Sequence, residues 1–221
     1  MRRLEERLLT TMRMFYDDVA TIVERFKNMN AFELLISTII SQNTSWKNVT
    51  RAMANLKEKG LLSIDGILRA EVGELEQALK VAGLYRVKAA KIKEIAKRLS
   101  CQGLNLDSIL SLSYSDARAK LMELPAVGRK TADVLLAFKA GAPVIPIDTH
   151  ISRVSKLLGL VNDDADYEEI RARLEAFVPQ AERALFHLAL IKFGREVCKA
   201  KRPQCHVCPL NDVCVYRASR L

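Results

Sequence analysis

Apolar residues recur at helical spacing along almost the whole chain, and β-branched alternation over five or more positions is almost absent. Such a pattern buries its hydrophobic positions only when helix packs on helix, because a strand would throw the same residues onto both faces. The expectation is an all-α protein, with helices near 3–27, 31–41, 46–59, 72–82, 86–100, 115–123, 129–140, 149–158, 166–177 and 180–193. Gly83 reads as the stop of the 72–82 segment, Ser115 as the residue opening a short acidic-to-basic helix, Pro179 as the break before the last long helix, and the acidic run 162–169 as a solvated helix start. The 221 residues suffice for one large domain or two small ones. No Gly- or Ser-rich linker divides them, so two lobes would have to pack closely. No run approaches the roughly eighteen apolar residues of a membrane helix, and the N-terminus lacks the apolar stretch of an export signal. A reducing cytoplasm or nucleus is therefore expected.

Four of the five cysteines, Cys198, Cys205, Cys208 and Cys214, fall in a C-x6-C-x2-C-x5-C pattern near the C-terminus. Four thiolates converge on one centre only if the backbone between them is an irregular loop, and Pro203 and Pro209 keep a helix from forming there. An iron–sulfur cluster is favoured over zinc, since zinc sites built from four cysteines usually use two C-x2-C knuckles and only one occurs here. Two disulfides are a more distant alternative in a reducing compartment. Cys101, outside the pattern, reads as a small core or boundary residue.

The formal charge of +9 favours a polyanionic partner, because neutralising phosphates releases condensed counterions. The excess is clustered: Lys192, Arg195, Lys199, Lys201, Arg202, Arg217 and Arg220 surround the cysteines, against only Glu196 and Asp212. Some of that charge would also balance an anionic cluster. Between two helical segments, Leu124-Pro125-Ala126-Val127-Gly128-Arg129-Lys130-Thr131-Ala132 forms a tight turn that opens a new helix. The free backbone N–H groups there, with the positive end of the helix dipole, make a site for one phosphate. An ordinary helical hairpin with an apolar staple would have the same sequence, so the segment alone leaves both readings open.

That stretch resembles the helix-hairpin-helix element of the endonuclease III family of DNA glycosylases. Pro146-Ile147-Asp148-Thr149-His150 resembles the family's Val-Asp-Thr-His segment, and the cysteine spacing resembles its 4Fe–4S loop. Upstream, Ser41-Gln42-Asn43-Thr44 and Gly83-Leu84-Tyr85 resemble its two DNA-probing loops, so the likeness spans nearly the whole chain. The resemblance implies a six-helix barrel lobe with the hairpin over 27–140, a second helical lobe with the cluster loop from 1–26 and 141–221, and an active-site cleft between them. It implies a monomer that binds double-stranded DNA carrying damaged bases or abasic sites and removes oxidised pyrimidines as a combined glycosylase and abasic-site lyase. Lys130 falls on the nucleophilic lysine, Asp148 on the essential carboxylate, and Cys198, Cys205, Cys208 and Cys214 on the cluster ligands. Gln42 falls on the residue filling the gap left by an extruded base and Leu84 on the wedge in the opposite strand, with Val127, Gly128, Arg129 and Thr131 in the DNA-binding hairpin.

The chemistry fits these types. A lysine amine attacks only when neutral, and an ordinary lysine is about 0.04% neutral at pH 7. A helix N-terminus and Arg129 disfavour the ammonium, while Asp148 suits the positive charge that develops on the sugar as the glycosidic bond breaks. Asp148 is also well placed to cap the 149–158 helix, and Lys130 could simply grip phosphate. Two positions depart from the family: Trp46 stands where an acidic residue is common, and could stack on a base or pack internally, while Ala126 replaces a glycine and matters if φ is positive there. His150 is expected as a structural hydrogen bonder and His206 as solvent-facing. The rival readings are a monofunctional thymine or adenine glycosylase, against which Lys130 argues, and a non-catalytic DNA-binding hairpin protein, which has no use for Asp148.

Overall fold

Asn30 opens the most buried helix of the protein. Its side chain accepts from Glu33 N at 2.8 Å while Glu33 accepts from Asn30 N at 3.0 Å, a reciprocal cap on helix α3, Ala31–Ile40. Apart from the capping Glu33 and the small hydroxyl residues Ser37 and Thr38, α3 is apolar, so it belongs inside rather than on a surface; Leu34, Leu35, Ile36, Ile39 and Ile40 are all fully buried. Each such side chain contributes about 1.5–3 kcal/mol relative to exposure, so Ile39→Asp would unfold this region.

In the computed structural model, residues 1–219 are described, and among them the secondary structure is entirely helical. They divide into two units, Phe26–Ala142 and Met1–Arg25 with Pro143–Leu221. In the first, α3 is surrounded by α4 (Trp46–Glu58), α7 (Tyr85–Cys101), α8 (Leu106–Leu110) and α10 (Arg129–Lys139). Helices α5 (Ile64–Arg69) and α6 (Val72–Leu79) pack on α7, and α9 (Tyr114–Met122) on α10. In the second, α13 (Arg183–Glu196) packs against α1 (Arg2–Arg13) and α11 (Thr149–Leu158), with α12 (Tyr167–Glu175) and α14 (Val215–Ala218) on α11. Gly194 permits the α11–α13 approach, since a Cβ there would lie 3.0 Å from His150 Cβ. No helix among the described residues is long and apolar enough to cross a membrane.

The long helix expected over 3–27 is instead two, α1 and α2 (Tyr16–Asn28). Buried positions 4, 8, 12, 19, 23 and 26 keep helical spacing across the break, so periodicity could not reveal it. At the interruption, Phe15 packs edge-on against Phe193, ring centroids 6.2 Å apart. Helices α5, α8 and α14 were not expected, being too short to show a period. Two carry caps: Ser63 Oγ accepts from Gly66 N and Asn105 Oδ1 from Asp107 N. The segment expected over 180–193 begins as a 3-10 turn at Gln180–Glu182 before α13. The cap of α9 is Ser113 rather than Ser115, and Cys101, expected in the core or at its boundary, is exposed at the end of α7.

Candidate active site and metal centre

The turn between α9 and α10 is held at both ends. Leu124 and Val127 are buried, and Val127 N donates to Leu124 O at 3.2 Å. Between them Ala126 adopts φ +60°, the left-handed region that costs a non-glycine residue about 1–2 kcal/mol. The departure from glycine at this position therefore carries a strain. Gly128 is the N-cap of α10 with extended backbone and no side-chain cap, and a Cβ there would meet nothing within 4 Å. Its value is an open approach over the amides of Arg129, Lys130 and Thr131 rather than conformational freedom. Lys130 is the second residue of α10 and half-buried.

One residue behind this turn was not anticipated. Asp133, fully buried one helical turn after Lys130, accepts from Arg118 Nε at 2.8 Å and Nη2 at 3.2 Å and from Tyr114 Oη at 3.0 Å. The bidentate pair and the phenol fasten α9 to α10 and fix the angle at which the amides are presented. The signal was present as a carboxylate in the otherwise apolar buried face of Thr131–Phe138.

Asn43, Leu84 and Ala126 are the non-glycine residues with positive φ among the described residues, at 55°, 49° and 60°. Each sits in one of the three loops that the family resemblance assigns to DNA, and all three lie in the unit 26–142. Concentrated strain of this kind is a feature of ligand-contacting segments. Leu84 is 58% exposed, and Gln42 is half-buried directly after Ser41, the C-cap of α3. Trp46 is half-buried and packs edge-on against Phe26 at 5.6 Å, which itself meets Phe138 at 5.1 Å. Of the two roles open to it, internal packing is the one observed.

Asp148 lies in the other unit and is the N-cap of α11. Its Oδ1 accepts from His150 N at 2.9 Å and from Ile151 N at 2.8 Å, so both capping bonds use one oxygen and the second is not engaged in the cap. His150 is a structural partner here: its ring faces Arg153 Nη2 at 3.4 Å and Arg195 Nε at 3.5 Å. Burial pushes its pKa below the ordinary histidine value, partly opposed by Asp148 and reinforced by the two guanidinium groups. Lys130, in the first turn of α10, and Asp148, the N-cap of α11, thus each stand at the start of a helix in their own unit.

The four cysteines of the C-terminal loop are free and half-buried, and Cys198, Cys205, Cys208 and Cys214 line one cavity with Leu157, Leu158, Phe193 and Pro203. Among the described residues no three His, Cys, Asp or Glu groups converge so as to hold a single ion. Four thiols lining one cavity, with a single C-x2-C pair among them, suit a polynuclear iron–sulfur cluster. Burial raises the Cys198 thiol to about 11 and also lifts Cys208, so these two would be held as thiolates only beside a cationic partner. The loop is anchored by Arg7, whose Nη2 donates to Pro209 O at 2.6 Å and to Asp212 Oδ1 at 3.1 Å. Arg153 Nη2 donates to Cys198 O at 2.9 Å, and Cys214 Sγ to Leu157 O at 3.6 Å.

Arg195, Lys199, Lys201 and Arg202 are exposed beside this loop. Lys192 is instead engaged by Glu196 at 2.7 Å and Asp18 at 3.6 Å, while Arg220 lies outside the described residues. His206 is exposed, as expected.

Residues 36–180 match the HhH-GPD superfamily of base excision DNA repair proteins, and residues 198–214 match the iron–sulfur binding domain of endonuclease III. Endonuclease III of Bacillus subtilis is 36% identical over 84% of this chain and 81% of its own length. The endonuclease III of Thermotoga maritima is 32% identical over 90% and 91%. Among solved structures, a non-covalent endonuclease III–DNA complex is 33% identical with TM-score 0.76, covering 96% of this chain and 97% of the other. A trapped endonuclease III–DNA covalent intermediate is 33% identical with TM-score 0.75, covering 96% and 98%. A thermostable thymine-DNA glycosylase shares the fold at 18% identity, TM-score 0.66, covering 95% and 98%.

Proposed function

The chain belongs to the HhH-GPD superfamily and, within it, to the endonuclease III family of DNA glycosylases and abasic-site lyases that carry a 4Fe–4S cluster, and from that premise we propose that it removes oxidised pyrimidines from duplex DNA through a lysine imine. The observation that carries this reading is Lys130, half-buried in the first turn of a helix without a side-chain cap, directly behind a strained turn whose Gly128 leaves the approach to the helix start open. The amides there suit a phosphate beside the damaged nucleotide, which would hold its sugar near the lysine amine.

The neutral amine attacks the anomeric carbon, the carbon–nitrogen bond to Lys130 forms, and the bond to the base breaks with its electron pair leaving on the base, which is then protonated. The sugar ring then opens, the nitrogen losing a proton and the ring oxygen gaining one, to leave the Lys130 imine; loss of a proton from the adjacent sugar carbon expels the 3′ oxygen with its phosphate, cutting the strand. Asp148 stabilises the cationic sugar with the oxygen that its cap does not use. Gln42 and Leu84 take the spaces left in the two strands when the base is extruded, offsetting an unstacking cost of a few kcal/mol. Cys198, Cys205, Cys208 and Cys214 hold the cluster, which orders a loop whose exposed Arg195, Lys199, Lys201 and Arg202 grip the phosphate backbone. The covalent complex reported for a relative supports the imine route. A barrel lobe over 27–140 and a cluster lobe from 1–26 and 141–221, acting as a monomer, belong to the same reading.

Borohydride reduction on a duplex with a single oxidised pyrimidine tests it. The wild-type protein should leave a covalent adduct, and Lys130→Gln should bind the duplex but leave none. Base release without any adduct from the wild type would assign the chain to the monofunctional glycosylases. An adduct retained by Lys130→Gln would place the nucleophile elsewhere.

A further inference from the structure

Lys88 lies on the buried stripe of α7 formed with Ile92, Ile95 and Leu99, and is 2% exposed. A lysine placed there should have been replaced by an apolar residue unless its ammonium serves a purpose, because a buried charge without a counter-ion is costly. No carboxylate pairs with it among the described residues. Burial lowers its pKa below the ordinary lysine value, with Lys91 adding repulsion. Its Nζ donates to Ala82 O at 2.9 Å, and its own amide donates to Leu84 O at 3.0 Å. The side chain of a helical residue runs back toward the N-terminus, so the position four residues after Leu84 is the one from which a lysine spans that turn.

What it spans is strained. Gly83 (φ 66°, ψ 160°) and Leu84 (φ 49°, ψ 30°) are consecutive residues with positive φ, and Leu84 shows most of its apolar surface to solvent. Neither the backbone conformation nor the exposure of Leu84 is stabilised by the leucine itself. Lys88 holds the carbonyls on both sides of this kink, those of Ala82 and Leu84.

We propose that Lys88 is a positioning residue for the opposite-strand wedge: its buried ammonium, fixed to Ala82 O, keeps Leu84 outward in the left-handed conformation before DNA arrives. This rests on the proposed reading of Leu84 as the wedge. Preorganisation of this kind matters only where the duplex must be opened, and not for the imine chemistry on a sugar that is already unstacked.

The test uses full-length holoprotein and a duplex with a tetrahydrofuran abasic analogue opposite 2-aminopurine, whose fluorescence rises when the wedge unstacks it. Loss of one hydrogen bond should lower the ratio of outward to other conformers of Leu84 by about fivefold in Lys88→Met, and the fluorescence gain should fall with it. Borohydride trapping on a single-stranded natural abasic site should stay at the wild-type level. In a Leu84→Ala background, Lys88→Met should cost nothing further, since both act through one side chain. Should Lys88→Met melt early, Lys88→Gln takes its place in the same cycle. Wild-type fluorescence in Lys88→Met, or a loss that simply adds to that of Leu84→Ala, overturns the inference. A Leu84→Ala protein that unstacks the probe normally would instead sink the wedge reading beneath it.

Discussion

Asp148→Asn separates the capping bonds observed for this carboxylate from the catalytic role proposed for it. In the cap, Oδ1 accepts from two amides at 2.9 and 2.8 Å. An asparagine oxygen accepts the same two bonds, and Asn and Asp rank nearly equal as N-caps. Stability should therefore hold within a few tenths of a kcal/mol, below about 1 °C in melting temperature for a chain of this size. Asp148→Ala discards both bonds and should lose about 1 kcal/mol, or roughly 2–4 °C. The charge is a different matter. A unit charge about 4 Å from a developing cation is worth on the order of 4 kcal/mol at an effective dielectric of 20, and removing one preorganised electrostatic group from an active site costs about 10²–10³ in rate. Single-turnover excision of an oxidised pyrimidine, measured beside thermal melting, reads both effects. Asn should match the wild type in melting and fall at least about 100-fold in rate, with Ala as slow and less stable. If Asn melts early while the folded fraction excises normally, Asp148 is only a cap and the catalytic assignment is refuted.

Ala126→Gly should stabilise the protein by about 0.5–1 kcal/mol, because relief of a left-handed alanine exceeds the added entropy of glycine in the unfolded chain; an unchanged or lower melting temperature counts against strain in the turn. The Glu182 carboxylate accepts from Arg13 at 2.6 and 2.9 Å and from Tyr16 Oη at 3.0 Å, and the Arg13 bond chiefly holds its pKa below the ordinary 4.5. A lowered carboxylate pKa gives stability that is present above the unfolded value and lost as pH falls through the folded one. The melting gap between wild type and Glu182→Gln should accordingly close as pH drops from about 6 to below 4, and a gap that widens in acid would contradict the sign. The purified protein should be brown, with about four irons per chain. Cys205→Ser should lose iron and duplex affinity while α3 and its neighbours stay folded, and a colourless wild type with one zinc would remove the cluster from the argument.

The hairpin, the Asp148 segment and the cysteine loop were legible because each is written in contiguous residues whose types dictate local geometry: a turn before a helix, an acidic cap, thiols spaced by prolines. The Phe15 interruption between α1 and α2 was hidden because the apolar stripe on either side keeps phase. The left-handed backbone of Ala126, Asn43 and Leu84 is set by what the flanking helices demand, and an alanine or leucine does not announce it. Asp133 and Lys88 were missed because charged residues on helices usually face water. Each sits on an apolar stripe of its own helix, so their departure from pattern was visible, whereas Arg118, Tyr114 and the Ala82 carbonyl that satisfy them come from other parts of the sequence.

One unit is a single stretch, 26–142, while the other joins residues 1–25 to residues 143–221. Synthesis on the ribosome therefore delivers them differently. The continuous unit has all its partners once residue 142 has emerged, whereas Leu4, Leu8 and Met12 of α1 remain without α13 until residues 183–196 follow. At roughly 5–20 residues per second, those side chains wait on the order of ten to forty seconds. During that interval the nascent chain displays an amphipathic helix suited to capture by a chaperone, and iron can be loaded only once Cys214 has emerged. Slowing elongation should lengthen chaperone occupancy at the first helix without changing the folding of 26–142.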